Sequence, residues 1–175
     1  MATEFNASRR RFLLVRKPEK GRPIRPPWAL AEALFTDVCN RCMACAEVCP
    51  QGILVQGAGG YPEADFTERG CTFCGECVTA CKPAALVRAA ADGAQGPWSH
   101  RAVVRERCIA KSGVVCRTCA DACNHGAIRV TLMQGGRASP EISEADCTGC
   151  GSCRAVCPVK AIALAPAPIT GTAMP

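Results

Sequence analysis

Cysteine spacing constrains this chain more than any other feature. The 175 residues hold 16 cysteines in four groups of four: Cys39, Cys42, Cys45 and Cys49; Cys71, Cys74, Cys77 and Cys81; Cys108, Cys116, Cys119 and Cys123; Cys147, Cys150, Cys153 and Cys157. Three groups read C-x2-C-x2-C-x3-C, and the third differs only in the seven residues, Ile109 to Val115, between its first two cysteines. No cysteine is left over. Aromatic residues make up 5% of the chain, beside 16 Gly and 13 Pro. Hydrophobic burial alone would struggle against chain entropy in such a composition, so covalent or metal cross-links must supply part of the folding free energy.

The spacing also says which kind. A disulfide scaffold needs an oxidising compartment and seldom repeats one interval so regularly. Zinc sites combine two C-x2-C pairs and often use histidine, whereas here three thiolates share one short loop and only His100 and His125 are present. Three closely spaced thiolates plus a distant fourth form the ligand set of a cubane iron–sulfur cluster. The x3 step separates each last cysteine from its loop by one helical turn, roughly 6 Å of rise, and projects it toward a neighbouring cluster. Two-cluster bacterial ferredoxins exchange their fourth ligands in this way, and Pro50 and Pro158 complete the C-x2-C-x2-C-x3-C-P form in the first and last runs.

Four [4Fe–4S] clusters are therefore expected. The first takes Cys39, Cys42, Cys45 and Cys81; the second Cys71, Cys74, Cys77 and Cys49; the third Cys108, Cys116, Cys119 and Cys157; the fourth Cys147, Cys150, Cys153 and Cys123. The second run ends Cys81-Lys82-Pro83 and the third lacks a proline after Cys123. The longer loop with Gly113 is expected to admit solvent and make the third cluster the most labile.

Repetition extends beyond the cysteines. Apolar pairs follow each run at Ile53-Leu54, Ala85-Leu86, Ala127-Ile128 and Ala161-Ile162, and read as short strands. Glycine-rich turns at Gly57-Ala58-Gly59-Gly60 and Gly135-Gly136 precede return strands at Pro62 to Phe66 and Glu141 to Ile142. Short helices are expected to begin near Met43, Gly75, Arg117 and Gly151. The expected fold is α+β: two tandem bacterial-type two-cluster ferredoxin modules, residues 36–90 and 104–166. A basic arm with a short helix occupies residues 1–35, a linker 91–103, and a disordered tail 167–175. Removing residues 1–26 is expected to leave iron content unchanged.

The formal charge of +6 is confined to the arm. Residues 1–30 carry Arg9, Arg10, Arg11, Arg16, Lys17, Lys20, Arg22 and Arg25 against Glu4 and Glu19, and the rest of the chain balances thirteen basic against thirteen acidic residues. Each four-thiolate cubane contributes about −2, so the loaded body is acidic. Nucleic-acid binding is not expected, because aromatics are not interleaved with the arginines beyond Phe12 and Trp28. Nor is a membrane span, since no apolar run approaches the required length of about 18 residues. Ser8-Arg9-Arg10-Arg11-Phe12-Leu13-Leu14 resembles a twin-arginine export motif. No apolar stretch follows it, because Val15 leads into Arg-Lys-Pro-Glu-Lys-Gly-Arg-Pro, and the reading is of a cytoplasmic protein. Pro26-Pro27 and Trp28, with Ala29 to Thr36 as a helix, are expected to pack on the first module.

Further segments narrow the pattern: Ser8-Arg9-Arg10, Arg25-Pro26-Pro27-Trp28, Gly57-Ala58-Gly59-Gly60-Tyr61-Pro62, and the third run Cys108-x7-Cys116-x2-Cys119. Together they resemble the ferredoxin-type NapF proteins encoded with the periplasmic nitrate reductase. The resemblance implies a cytoplasmic four-cluster protein that contacts the catalytic molybdenum subunit before export and assists its maturation, through iron–sulfur assembly or electron supply. A general electron carrier and an electron-transfer subunit of a larger oxidoreductase are the competing readings. No catalytic residue is identified: Gly57 to Gly60 is not a dinucleotide fingerprint, and His100 and His125 stand alone.

Overall fold

The computed structural model describes residues 23–88 and 97–166. Elements of the first half are α1 (Glu32–Val38), α2 (Ala44–Glu47), β1 (Leu54–Gln56), β2 (Pro62–Ala64) and α3 (Glu76–Thr79). The second half holds β3 (His100–Val104), α4 (Thr118–Asp121), β4 (Ile128–Leu132), β5 (Ala138–Ile142), α5 (Ser152–Ala155) and β6 (Ile162–Pro166). The four-residue helices α2, α3, α4 and α5 begin immediately after Met43, Gly75, Arg117 and Gly151. One helical turn is far below the length at which a helix is stable alone. These turns persist because each presents a buried cysteine, Cys45, Cys77, Cys119 or Cys153, to the interior.

Two hairpins lie between the cysteine runs. In the first, Leu54 faces Ala64 across antiparallel β1 and β2; in the second, Ile128 faces Ile142 across β4 and β5. Gly59 and Gly60 adopt φ of +67° and +81° in the first turn, and Gly135 and Gly136 adopt +75° and +72° in the second. A side chain is strained in that left-handed region, which is why both turns are glycine-rich.

The third sheet lies where the sequence suggested a linker. Residues 100–104 form β3, which pairs antiparallel with β6 from His100 opposite Pro166 to Val104 opposite Ile162. Gly93, Gly96 and Pro97 masked this strand in the sequence, as did its two polar residues, His100 and Arg101. Both are buried: His100 bonds the Gly149 carbonyl at 2.8 Å, and the Arg101 guanidinium donates to the carbonyls of Trp98 (2.7 Å), His100 (2.8 Å) and Glu144 (3.1 Å).

The first half contains a shorter version of the same pairing. Ala29 bridges Leu86, with Leu30 N–H donating to Ala85 O at 3.1 Å and Val87 N–H to Trp28 O at 2.9 Å. Each half thus ties a segment before its first cysteine to the segment after its last. Residues 23–30 pack as part of the first half. Ala64 N–H donates to Ile24 O at 2.7 Å, and Arg25 pairs with Glu32 at 2.6 Å and Glu63 at 3.7 Å. Its guanidinium also lies 5.2 Å from the Phe35 ring centre and 5.3 Å from that of Tyr61, so Arg25 does not belong to a free basic arm. Arg9, Arg10, Arg11, Arg16, Lys17, Lys20 and Arg22 lie outside the described residues, as do residues 89–96 of the expected linker and the tail from 167.

An aromatic seam joins the halves. Trp98 lies 5.3 Å from Phe66, 5.8 Å from Phe73 and 5.2 Å from His100, and its indole N–H donates to Arg25 O at 2.9 Å. Buried aromatic pairs of this kind add roughly 0.5–1.5 kcal/mol each beyond area burial.

Candidate metal centres

The cysteine loops share an unusual backbone. Residues on either side of the middle cysteine are left-handed in three runs: Arg41 and Met43 (both φ +61°), Phe73 and Gly75 (+56° and +87°), Gly149 and Gly151 (+75° and +79°). Alternating left- and right-handed residues turn successive N–H groups to one side, forming a concave nest for negative charge. Holding Arg41, Met43 and Phe73 in this conformation costs of order 1 kcal/mol each, which a group bound in the loop would offset. The third run departs from this: Arg117, after Cys116, has φ −126°, and the left-handed residue is Gly113 (+89°), inside the insertion.

Four separate cavities are each lined by four cysteines, and in every case the quartet draws on two runs. Cys39, Cys42, Cys45 and Cys81 line one; Cys71, Cys74, Cys77 and Cys49 a second. Cys108, Cys116, Cys119 and Cys157 line a third, and Cys147, Cys150, Cys153 and Cys123 a fourth. Each encloses about 310–340 Å³ between protein atoms, part of it open to solvent. Among the described residues, no three His, Cys, Asp or Glu side chains converge as a single metal ion requires; the thiols ring a space.

Electrostatics suit these spaces to a multiply charged cationic core. Burial pushes the Cys45 thiol up to about 11, reinforced by Cys77, Cys81, Cys39 and Cys42. Cys77 also reaches about 11, through burial and then Cys71, Cys74 and Cys49. Burial raises Cys71 to about 11 against the opposing N–H of Phe73, with Cys49, Cys74 and Cys150 adding to the rise. Cys153 rises to about 12 through burial and the proximity of Cys150, Cys147, Cys119 and Cys123. Crowded thiols do not ionise on their own at neutral pH; a bound metal core removes their protons.

Two orphaned donors point the same way. Among the described residues, Trp28 Nε1 and Thr148 Oγ1 are the buried side-chain polar atoms without a partner. Trp28 lines the cavity of Cys49, Cys71, Cys74 and Cys77, and Thr148 that of Cys123, Cys147, Cys150 and Cys153. An unsatisfied buried donor costs about 1–3 kcal/mol, and the sulfur atoms of an iron–sulfur cluster would accept from both. The chemistry of the quartets and these orphans fits [4Fe–4S] groups.

Solvent access varies among the thiols. Cys42 and Cys74 are the exposed ones, whereas Cys116 is half-buried and Cys108 buried. The first part of the insertion forms a 3-10 turn, Ile109–Ser112, that buries Ala110 against Ala138 and Ala161, while Gly113, Val114 and Val115 are exposed. Trp98, which ties the halves together, and Arg101, which bonds the carbonyls of Trp98, His100 and Glu144, were not legible in the sequence.

Comparison with known proteins agrees with this chemistry. Residues 38–85 and 106–161 each match the 4Fe-4S dicluster domain. The chain is 38% identical over 159 residues to the ferredoxin-type protein NapF of Escherichia coli (strain K12), covering 91% of this chain and 94% of that one. It is 43% identical over 142 residues to NapF of Haemophilus influenzae, covering 81% and 78%. The methylamine utilization ferredoxin-type protein MauM of Methylobacillus flagellatus is 32% identical over 155 residues, covering 81% of this chain and 66% of its own. Two dicluster matches and similarity along most of the chain make this an iron–sulfur protein of the NapF-type ferredoxin family.

Proposed function

We propose that the chain binds four [4Fe–4S] clusters through the exchanged quartets and serves, in the cytoplasm, as an accessory protein to the catalytic molybdenum subunit of a periplasmic nitrate reductase before its export. The observation that carries the cluster assignment is the set of four cavities, each lined by one exchanged quartet. A bound [4Fe–4S] group takes up and returns one electron. The protein's own residues supply sixteen thiolates, backbone nests, and the Trp28 and Thr148 donors. Among the described residues no helix is long and apolar enough to cross a membrane. The partner assignment rests on the resemblance to the NapF family, which implies a role beside a periplasmic nitrate reductase.

The test is anaerobic purification of the full chain with co-expressed nitrate reductase catalytic subunit, its export signal intact. Expected are about sixteen irons per chain, four per cubane, and retention of the catalytic subunit. Full iron loading without retention sinks the partner role and leaves the cluster assignment standing. A second reading, a general electron carrier, is favoured by the direct contact between the Cys71 and Cys150 loops, because it brings ligand loops of the two halves together.

A further inference from the structure

A cleft outside the cysteine sites is lined by Thr67 from the first half and by Arg105, Arg107, Arg154, Lys160 and Ile162 from the second. It encloses about 610 Å³, nearly twice any of the cysteine-lined cavities, and is part open to solvent. Four of its six lining residues are cationic and none is acidic. Among the described residues the ion pairs are Arg25 with Glu32 and Glu63, Lys111 with Glu106, and Arg117 with Asp121; the cleft cations join none of them. Glu106, between two of these cations in sequence, is drawn away to Lys111 at 2.7 Å. The Arg107 guanidinium donates to the Lys160 backbone carbonyl, which anchors Arg107 beside the segment that carries Lys160.

The internal repeat provides a control for the meaning of this charge. Aligned on Cys108 with Cys39, Cys153 with Cys77 and Cys157 with Cys81, the cations Arg105, Arg107, Arg154 and Lys160 correspond to Thr36, Val38, Val78 and Ala84. Lys160 and Ala84 share a left-handed backbone, φ +50° and +58°, so the alignment holds in structure as well as in sequence. The first half, with the same quartets, has no cation at these positions; its own, among them Arg41, Arg69, Lys82 and Arg88, stand elsewhere. The gathering of four cations in one cleft is thus peculiar to the second half.

We propose that this cleft is a docking site for an acidic segment of a protein partner, one that presents several carboxylates. Arg105, Arg107 and Lys160 are exposed and Arg154 is half-buried, while the buried floor, Ile162, is apolar. A small anion competes with water only where buried donors converge on it. Long cationic side chains on an open rim instead steer a larger partner and fix its register. The position suits a redox protein: Arg107 precedes Cys108, Arg154 follows Cys153, and next to Lys160 the Ala161 N–H donates to Cys157 Sγ at 3.1 Å. A carboxylate-bearing segment seated there lies beside the cysteines of the second half, whichever protein carries it.

The test uses the full chain, loaded anaerobically with iron and sulfide, and a fluorescein-labelled octaglutamate peptide read by anisotropy at near-physiological salt. Arg105→Gln with Arg154→Gln is expected to weaken binding about tenfold, two partly exposed ion pairs' worth, with iron content unchanged. A control pair, Arg129→Gln with Arg137→Gln, removes the same charge outside the cleft lining and is expected to change binding about twofold or less. Equal weakening by both pairs overturns the proposal in favour of net charge, and no weakening by the cleft pair overturns it outright. Failure of the peptide to bind, with millimolar phosphate raising the melting temperature through Arg105 and Arg154, overturns it in favour of a small-oxyanion site. Because the probe is a synthetic peptide, these outcomes are independent of whether the nitrate reductase subunit is retained.

Discussion

The backbone N–H of Cys71 donates to the carbonyl oxygen of Cys150 at 2.8 Å, joining the second cysteine loop of the first half to the corresponding loop of the second. The contact is close because Gly70 lacks a side chain: a Cβ there would lie 2.7 Å from the Ser152 nitrogen and 2.8 Å from its Cα. On the other side of the junction, a Cβ on Gly151 would overlap the Phe66 ring. Two glycines and one hydrogen bond thus set the approach of the halves here, and Cys150 is among the neighbours that push the Cys71 thiol up.

Gly70→Ala is expected to force the halves apart at this junction and cost about 1–3 kcal/mol, the range for overpacking. Anaerobic melting of the loaded protein checks the stability, and electron paramagnetic resonance of the fully reduced protein checks the spacing. Magnetic interaction between centres of different halves should weaken while iron content stays constant. Unchanged spectra and an unchanged melting temperature together would show that Gly70 does not govern the approach.

Ligand exchange is testable by chemical labelling. Cys49→Ala removes the thiol that lines the cavity of Cys71, Cys74 and Cys77, so these three should become alkylatable by iodoacetamide while Cys39, Cys42 and Cys45 stay protected. Mass spectrometry reads the pattern, and iron should fall by about one quarter, one cubane of four. Alkylation of Cys39, Cys42 and Cys45 instead would assign Cys49 to its own run.

Truncation separates residues 1–22 from the first half. Deletion of residues 1–22 should leave iron content and melting temperature unchanged. Deletion of residues 1–26 also removes Ile24 and Arg25, whose bonds to Ala64, Glu32 and the Pro62 carbonyl hold residues 23–30 in place. That longer deletion should destabilise the first half; Arg25→Ala alone should cost about 1–3 kcal/mol, since charge-assisted hydrogen bonds are lost from a mostly buried guanidinium. Equal stability of the two truncations would place the boundary after residue 26.

His100 supplies a pH dependence. Burial holds its pKa below the ordinary value of 6.5, with the Gly149 hydrogen bond opposing and the Arg101 charge adding to the depression. The unfolded chain then binds the proton more readily than the folded one, so this contribution to stability is full above about pH 6.5 and is lost as pH falls below it. The melting temperature of the native protein should drop more steeply between about pH 7.5 and 5.5 than that of His100→Gln, which cannot titrate. Parallel slopes in the two proteins would be incompatible with a buried neutral His100.

The cysteine intervals alone determined the chemistry of this protein: two intervening residues place three thiols around one loop, three send the fourth away on a helical turn, and these are local distances that any fold must respect. Glycines at the hairpin turns were legible for the same reason, since left-handed backbone is a local demand. Tertiary structure decided what depended on distant partners. The strand at residues 100–104 is completed by Ile162 to Pro166, which returns beside it from far along the chain. Arg25 read as one more charge of a basic arm until Glu32, Glu63 and two aromatic rings enclosed it. The cationic cleft gathers Thr67 and four cations spread between residues 105 and 160, and no local pattern announces such a gathering. Spacing fixes what lies within a few bonds; packing fixes which remote side chains share a space, and both the junction of the halves and the cleft are of that second kind.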